Sequence, residues 1–399
     1  MANLERFSAL YYRDFKIFWF GQLISLSGTW MQSVAQGWLV YSLTKSPFYL
    51  GIVAAIGSLP ILLFTIIGGV VADRFLKRNL LIITQALSII PALLLGILTD
   101  LDIITIWQVA MIAAFLGTVN AFDVPARQAF IVDIVEKSSL MNAIALNSAA
   151  FHGARMIGPV IAGMIIAYIG LPACFYLNAL SFLAVIIALS KINIKGNIKT
   201  TSQGFRRDFI EGIQFIKSRP DIYKIILLIA VFSLIGIPYV TLLPVFAVEV
   251  LNAGSKGFGF LVGAAGIGSL IAALFIAFKG DIKEKDRFMA LSALCFSLSL
   301  FAFSISKVFY ISIAILIFAG GGIVSFFATA NSFIQLSVPD NLRGRVMSVY
   351  VLVFLGTAPL GNSLIGILAD SIGTTTAVSI SGIICIIASI GFFFKRRHN

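Results

Sequence analysis

Runs of about twenty apolar residues recur along the whole chain between short polar segments, and they restrict the fold more than any other feature. A hydrocarbon core of roughly 30 Å takes about 20 residues of α-helix to cross, and every backbone polar group within it must bond inside the helix. We count twelve such runs, six between residues 15 and 189 and six between residues 223 and 394. The sequence therefore predicts an all-α integral membrane protein with 12 transmembrane helices.

Lysine and arginine resist translocation and accumulate in cytoplasmic loops. With both termini inside, only Lys45, Lys256 and Lys307 fall in outer loops, and Arg155 falls within the fifth helix. The net charge of +12 then reflects loop topology, and because no nucleic-acid-binding motif accompanies it we expect no nucleic acid partner. The first run is too long for a cleavable signal peptide, so we expect it to remain as a membrane span.

The longest polar stretch divides the chain near its middle, at residues 191–219. Apolar residues recur there at helical spacing opposite charged ones, which predicts an amphipathic helix at the membrane surface. Gly158, Gly163 and Gly170 also match glycines placed 203 residues later. We therefore predict an N-terminal six-helix bundle at 1–190, a cytoplasmic linker at 191–219 and a pseudo-symmetric C-terminal six-helix bundle at 220–399, an organisation typical of two-halved transporters.

Four ionisable residues, Asp73, Arg74, Lys77 and Arg78, follow the second run directly. A plain positive-inside anchor accounts for the three basic residues but not for Asp73. A carboxylate can instead accept hydrogen bonds from the amino terminus of another helix, where the macrodipole favours an anion. The cluster is thus either an anchor or a conformational latch.

The spacing Gly69-x-x-x-Asp73-Arg74-x-x-Lys77-Arg78 resembles the loop signature of the major facilitator superfamily. Further segments resemble its bacterial branch of enterobactin exporters and macrolide or multidrug efflux pumps: Ser27–Gln32, Gly37–Pro47, Asp123–Gln128 and Asn142–Ser148. The resemblance covers the entire chain and implies the major facilitator fold with alternating-access transport, often driven by protons.

The resemblance also implies roles for the charge cluster. Asp73 would latch onto the start of the eleventh helix, after Pro339, and Lys77 would pair with an acid on the fourth helix, the place that Asp123 occupies. The sequence departs from the family pattern at Leu76, where glycine is common, and at Lys77, where arginine is common. Asp123 has an alternative partner in Arg127 at the i, i+4 spacing.

The fifth helix carries small residues and a proline, Gly153, Gly158, Pro159 and Gly163, which resemble the antiport motif of exporting members. Small residues at this spacing let helices approach closely, so a packing role is the alternative. Arg155 lies in the same helix, roughly 22 Å from its cytoplasmic start, and a charge at that depth is functional by default. His152, one turn earlier, is a candidate proton carrier; the alternatives are a structural tie for Arg155 and a packing role for His152.

Polar residues recur every three or four positions along the first helix, which predicts a single stripe facing a water-filled cavity. The candidate cavity residues there are Gln22, Ser25, Thr29, Trp30, Gln32, Ser33 and Gln36, joined from the second half by Asn331, Tyr350 and Thr357. Amides, hydroxyls and aromatic rings suit a sizeable amphipathic molecule. Incidental polarity is the alternative, because serine and threonine can bond to their own helix carbonyls.

The acids near membrane depth, which include Asp123 and Glu249, lie near predicted helix ends, and none is marked as the proton carrier. Three cysteines in apolar context form no ligand spacing, so we expect no disulfide, no metal and no cofactor beyond a proton gradient. Paired catalytic carboxylates, a nucleophile elbow and a phosphate loop are missing from the sequence, which argues against an enzyme.

These features together predict a monomeric exporter in the lipid bilayer of a bacterial cytoplasmic (inner) membrane, with a drug-like or siderophore-like small molecule as its substrate. Two alternatives stay open. One is a lipid or lysophospholipid transporter of the same fold, and the other is a non-transporting membrane sensor.

Overall fold

The computed structural model describes residues 9–192, 205–280, 282 and 284–394, and within these ranges the chain forms helices and no strand. The helices of the first half are α1 (Arg13–Thr44), α2 (Pro47–Arg74), α3 (Lys77–Asp100), α4 (Ile106–Asp133), α5 (Leu140–Tyr168) and α6 (Leu171–Ser190). Those of the second half are α7 (Phe205–Ser218), α8 (Pro220–Val231), α9 (Leu243–Val245), α10 (Gly254–Lys279), α11 (Lys285–Ile305), α12 (Phe309–Ser337), α13 (Asp340–Gly356), α14 (Ala358–Ile372) and α15 (Thr374–Phe394).

Eleven helical segments of the described chain are long and apolar enough to cross a membrane. Two of them are composite, since Pro220–Val250 includes α8 and α9, and Leu342–Ile372 includes most of α13 together with α14. α1 is not among the eleven, although its 32 residues are long enough, because its polar stripe lowers its mean hydropathy. With α1 as the twelfth span, the predicted all-α membrane fold is confirmed.

The seventh predicted span, Pro220–Val250, is not a regular α-helix, although its apolar sequence predicts one. It contains π-helical turns at Phe232–Gly236 and Phe246–Val250 and a 3₁₀ segment at Ile237–Leu242. Pro238 and Pro244 interrupt the regular ladder because proline has no backbone N–H and its ring displaces the preceding carbonyl. The span is present where the sequence predicts it, but as a broken helix.

The helices form two compact units. Unit 1 contains α1, α3 to α6, α2 from Ile56 onward and α10 as far as Gly263; unit 2 contains α8, α9, α11 to α15, the described linker helix α7 and the remaining parts of α2 and α10. The predicted domain boundaries follow chain order and stay a prediction. Residues 193–204 of the predicted linker and the basic tail at 395–397 lie outside the described residues.

Close glycine contacts explain why the first turns of α2 and α10 belong to units that chain order does not assign to them. A Cβ atom added at Gly51 in α2 would lie 2.8 Å from the Cα atom of Gly366 in α14, within unit 2. A Cβ atom added at Gly163 in α5 would lie 3.1 Å from the Cα atom of Gly259 in α10, within unit 1. Backbones this close exclude any side chain larger than hydrogen.

In unit 1, large apolar side chains join α1, α3, α4 and α6. Phe15, Phe18, Leu81, Phe130 and Leu189 are at most 2% exposed and belong to one cluster. The rings of Phe18 and Phe130 pack edge to face with centroids 5.1 Å apart. Because lipid tails are as apolar as these side chains, close packing rather than water exclusion stabilises such a cluster in a membrane. The cluster fixes the helix ends that carry the charged residues described below.

The predicted amphipathic helix of the linker is present as α7, and it packs on α13 within unit 2. Glu211 and Arg345 form an ion pair, and a Cβ atom added at Gly212 would lie 2.7 Å from the carbonyl oxygen of Arg345. The linker helix is therefore tied to the first turns of the eleventh span. Its position at the membrane surface stays a prediction.

The crossing of α10 and α12 should tolerate no added carbon. Cβ atoms at Gly268 and Gly320 would overlap the carbonyl oxygens of Ile317 and Ala265 respectively. We expect Gly268→Ala to lower the unfolding free energy of the detergent-purified protein by about 1–3 kcal/mol, because the backbone of α12 cannot move aside for the added methyl group. Thermal unfolding followed by fluorescence measures the loss.

The matched control is Gly391→Ala in α15, where an added Cβ atom would meet nothing within 4 Å. This change should be neutral or stabilising by about 0.5–1 kcal/mol, since alanine loses less backbone entropy than glycine in a helix. Equal unfolding temperatures for the two variants would contradict the tight crossing.

Candidate functional site

The charged cluster between α2 and α3 separates into exposed and bonded residues. Asp73 and Arg74 are exposed at the end of α2. Lys77 donates to the carboxylate of Asp133 with an Nζ to Oδ2 distance of 2.6 Å. Arg78 donates to the carbonyl oxygens of Leu189 and Ser190 at 2.7 and 3.2 Å, where a cation complements the carboxyl end of α6. Lys77 and Arg78 therefore tie α3 to α4 and α6, and a latching role of Asp73 stays a prediction.

The predicted pairing of Lys77 with Asp123 is wrong, although Lys77 does bind an acid of α4. Lys77 opens α3 and Asp133 closes α4, so the two residues lie at the same end of adjacent helices. Asp123 is ten positions earlier, about 15 Å further along the helix, which is beyond the reach of a lysine side chain. The sequence identifies the helix correctly but not the turn.

Asp123 instead forms the centre of a buried polar network between α3 and α4. Its carboxylate, in a residue that is 2% exposed, accepts hydrogen bonds from Thr84 Oγ1 at 2.7 Å and Gln85 Nε2 at 2.9 Å. It also pairs with Arg127 one turn later, which confirms the i, i+4 alternative. A buried carboxylate is stable only when paired and hydrogen-bonded, and this one is both.

The network extends from α3 to the polar stripe of α1. Ser25 Oγ donates to Gln85 Oε1 at 3.3 Å, so the amide of Gln85 accepts from α1 and donates to α4. Sequence reasoning missed Thr84 and Gln85. The available signal was the group Thr84, Gln85 and Ser88, three polar residues on one face of an otherwise apolar helix, and all three are buried.

The remaining stripe residues of α1 differ in exposure. Gln22, Ser25 and Gln32 are each 2% exposed, Thr29, Trp30 and Gln36 are half-buried, and Ser33 is exposed. Thr29 Oγ1 donates to the carbonyl oxygen of Ser25 at 2.9 Å, as the incidental-polarity alternative expects for this one residue. The stripe thus runs along the border between a packed and an open face of α1, and its role in lining a cavity stays a prediction.

Gln32 belongs to a second buried network, between α1 and α6. Its Oε1 atom accepts a hydrogen bond from Asn178 Nδ2 at 2.7 Å. Ser181 Oγ lies 3.0 Å from Asn178 Oδ1 and 2.7 Å from the backbone oxygen of Asn178, so it can donate to either. The Nε2 atom of Gln32 is buried and has no hydrogen-bond partner among the described residues. Asn178 was missed by the sequence reasoning, although it is the only amide in the apolar run of α6.

The small residues of α5 pack against neighbouring helices. A Cβ atom added at Gly158 would lie 2.6 Å from the carbonyl oxygen of Ser27, and one at Gly163 would lie 2.7 Å from that of Ser255. Pro159 is buried next to Gly158, whereas an added Cβ atom at Gly153 would meet nothing within 4 Å. Gly158 and Gly163 therefore bring α5 close to α1 and α10, and an antiport function of the motif stays a prediction.

Arg155 and His152 lie on α5 beside an aromatic pair. The guanidinium of Arg155 is 5.4 Å from the ring centroid of Trp30, within cation–π range. Trp30 also packs edge to face on Phe151 at 5.6 Å. His152 is half-buried and its Nδ1 atom has no hydrogen-bond partner in the described part of the chain. The cluster joins α1 and α5 with a cation and a titratable ring.

The other candidates lie in unit 2. Glu249 is exposed, Asn331 accepts from Gln335 Nε2 at 2.6 Å, and Thr357 donates to a backbone oxygen of its own helix at 3.0 Å. Tyr350 is 6% exposed and stacks on Phe354.

Among the residues that the structure describes, no group of three or more His, Cys, Asp and Glu could hold a metal, and the three cysteines are free.

The known proteins that resemble this chain match it over most of its length. The model of a family described as transmembrane secretion effector matches residues 5–398. The staphyloferrin A transporter of Staphylococcus aureus is 28% identical over 385 residues, covering 96% of both chains. The multidrug efflux pump Tap of Mycolicibacterium fortuitum is 24% identical, covering 94% of each, and macrolide efflux protein A of Streptococcus pyogenes is 21% identical, covering 93% of this chain and 94% of that protein.

Solved structures share the fold at low sequence identity. A bacterial homolog of the human lysosomal transporter Spinster superposes with a TM-score of 0.76 at 13% identity, covering 96% of both chains. A D-xylose–proton symporter gives a TM-score of 0.76 at 12% identity, covering 96% of this chain and 97% of that one. These likenesses confirm the fold.

The two aspartates of α4 offer a matched comparison. Asp123→Ala would leave Arg127, Thr84 and Gln85 facing an empty buried position, so we expect a loss of about 3–5 kcal/mol in unfolding free energy. Asp133→Ala breaks a single ion pair in which Asp133 is 23% and Lys77 14% exposed, and it strands no further hydrogen-bond donor among the described residues, so the loss should be smaller, about 1 kcal/mol.

Thermal unfolding of the two purified variants measures the difference. If Asp133→Ala lowered the unfolding temperature as much as Asp123→Ala, the network around Asp123 would not be the more important of the two for stability.

Proposed function

Since the chain belongs to the transmembrane secretion effector family of the major facilitator superfamily, we propose that it exports amphipathic small molecules, drug-like or siderophore-like, by alternating access. It is a multi-pass membrane transporter and not an enzyme. The observation that carries the export proposal is the full-length likeness to a staphyloferrin A transporter and to drug efflux pumps, combined with a polar stripe on α1 that these cargoes could contact.

The chemistry of α1 supports the cargo class. Gln32 and Gln36 supply amides, Ser33 supplies an exposed hydroxyl, and Trp30 supplies an aromatic surface beside Arg155. Such a mixture binds molecules that carry both apolar surface and hydrogen-bonding groups. A lysophospholipid needs a long apolar channel with polarity at one end, so the distribution of polar groups along the stripe favours drug-like or siderophore-like cargo.

We propose proton antiport as the energy source. His152 of α5, half-buried beside Arg155, is one candidate proton carrier. Glu249 and Asp123 are the other titratable candidates; Asp123 is buried within unit 1, whereas Glu249 is exposed. The chain would work as a monomer in a bacterial cytoplasmic (inner) membrane with both termini in the cytoplasm.

Alternating access requires a contact that opens and closes on the cytoplasmic side, and we propose Asp73 as its acidic residue. Asp73 is exposed, and the bonds of Lys77 and Arg78 hold α3 in place beside it. Asp73→Asn should bias the protein towards an inward-open state, with greater labelling of cytoplasmic-side cysteines introduced into a cysteine-free variant. Lys77→Gln is the comparison, because it breaks a bond within unit 1 only. Unchanged labelling in Asp73→Asn would reduce the cluster to an anchor.

Reconstitution tests the transport proposal. Proteoliposomes that contain the purified protein should accumulate erythromycin or staphyloferrin A when their lumen is made more acidic than the outside, because protons then leave as cargo enters. Nigericin, which collapses the pH gradient, should abolish this accumulation. Protein-free liposomes give the background, and labelled lysophosphatidylcholine tests the lipid alternative in the same vesicles.

The outcomes separate the parts of the proposal. Accumulation that ignores the gradient would contradict proton coupling but leave export standing. Movement of lysophosphatidylcholine alone would replace the cargo class by lipid. Failure to move any of the three compounds, by protein that remains folded, would contradict the proposed function.

A further inference from the structure

We propose that the side-chain amide of Gln32 is a cargo-binding donor that Asn178 holds in one orientation, and that it selects cargo carrying a carbonyl or carboxylate acceptor. The inference rests on the proposed function, in that it requires the protein to bind a small molecule. It adds a positioning residue, Asn178, which the sequence pattern does not reveal, and a chemical criterion for the cargo.

The orientation of the Gln32 amide follows from the hydrogen bonds behind it. Ser181 can donate to Asn178, and Asn178 Nδ2 donates to Gln32 Oε1 at 2.7 Å. Because an amide nitrogen is only a donor, Asn178 Nδ2 requires the oxygen of Gln32 to face α6. The Nε2 group of Gln32 must then point away from Asn178, and it is there that no partner is present among the described residues.

The fit between α1 and α6 leaves this arrangement little freedom. A Cβ atom added at Gly28, one turn before Gln32, would overlap Ser181 Oγ and Asn178 Oδ1. The polar side chains of α6 thus lie directly on the backbone of α1. Gln32 is 2% exposed and Asn178 1% exposed, so water is largely excluded from the bond that joins them.

A buried donor without a partner is unfavourable in a protein that has no cargo bound. The neighbouring network shows that this chain can satisfy such groups, since every polar atom of the Gln85 amide and the Asp123 carboxylate has a partner. Although Arg127 Nε in the Asp123 network lacks a partner among the described residues, of the two amides Gln32 alone keeps such an N–H group. A cargo acceptor would satisfy it, and truncated cargo without an acceptor would leave it unpaired, which is how buried polar groups discriminate strongly.

The surface around Gln32 is suited to receive cargo. Thr29 and Gln36 lie three positions before and four after Gln32 and so share its face of α1, whereas Ser33, the next residue, lies about 100° around the helix. Thr29 and Gln36 are half-buried and Ser33 is exposed, so this part of the stripe is partly open, although the Nε2 atom of Gln32 is itself buried. An acceptor at the edge of an amphipathic molecule could bond to Gln32 while the remainder lies along the stripe.

Paired substitutions separate a cargo-binding role from a structural one. Gln32→Met combined with Asn178→Leu removes the hydrogen bond and the unpartnered donor together while nearly conserving volume. We expect this double variant to unfold at the same or a higher temperature than the wild type, because it removes an unsatisfied buried group. Its affinity for erythromycin, which carries lactone and ketone carbonyls, should fall at least about tenfold.

The control pair is Ser297→Ala with Ser389→Ala, which removes both partners of a buried 3.0 Å hydrogen bond in unit 2. It should leave erythromycin affinity unchanged. A second probe, ethidium, has no carbonyl or carboxylate, and its affinity should be the same in the wild type and in the Gln32 double variant.

Asn178→Asp tests the positioning role while retaining Gln32. A carboxylate at this position accepts but does not donate, so it would turn the Gln32 amide and bind its Nε2 group, and erythromycin affinity should fall although Gln32 is still present. Asn178→Ala, which leaves Gln32 free to rotate, should lower affinity less. Equal affinity of Asn178→Asp and wild type would overturn the positioning role.

Two further results would overturn the inference. One is a double variant that is clearly less stable than wild type yet binds erythromycin normally, which would make the Gln32 bond structural. The other is an equal loss of ethidium and erythromycin affinity in the double variant, which would show that Gln32 does not select cargo by its acceptor group. If wild-type protein bound neither probe, the proposed drug-like cargo would be wrong, while the comparison of unfolding temperatures would still decide whether Gln32 carries an unsatisfied donor.

Discussion

The exclusion of water from the hydrocarbon region is the constraint on which this structure depends. Backbone groups there must bond within their own helix, and polar side chains must bond to one another or to their own helix carbonyls. The chain meets the first condition with helices throughout its described spans, and largely meets the second by grouping its polar residues. Asp123 with Thr84, Gln85 and Arg127 forms one group, and Gln32 with Asn178 and Ser181 forms another. Both groups meet on α1, which is also the most polar of the long helices.

The sequence predicts the spans well because each must fulfil a length and hydropathy requirement that is local in the chain. It also predicts the ion pair of Asp123 with Arg127, because two side chains four residues apart on a helix lie next to each other. It does not predict Lys77 with Asp133, because that pair depends on how the ends of two separate helices align. The irregular seventh span is a similar case: Pro238 and Pro244 signal a disturbance, but the π and 3₁₀ turns depend on what packs around them.

Single polar residues in apolar runs were the most informative signals that the sequence reasoning left unused. Asn178 is the sole amide of α6, and Gln85 is the sole amide of α3 after Asn79 in its first turn; each bonds to a residue of another helix. A lone amide in a lipid-embedded helix needs a partner from another helix, so its presence already implies such a bridge. What the sequence cannot supply is the identity of the partner, because any polar residue at matching depth on a neighbouring helix would serve.

The two networks on α1 have opposite consequences for function. Ser25 is bonded to Gln85, both of whose amide atoms have partners, so its removal should be felt mainly as lost stability. Gln32 is held by one bond and retains an unpartnered donor, a group whose burial costs free energy. Selection for stability alone would remove such a donor, whereas selection for cargo binding would keep it. The polar stripe of α1 is therefore not uniform: Ser25 joins α1 to α3, whereas Gln32, seven residues later, joins α1 to α6 and also keeps the donor that we propose to bind cargo.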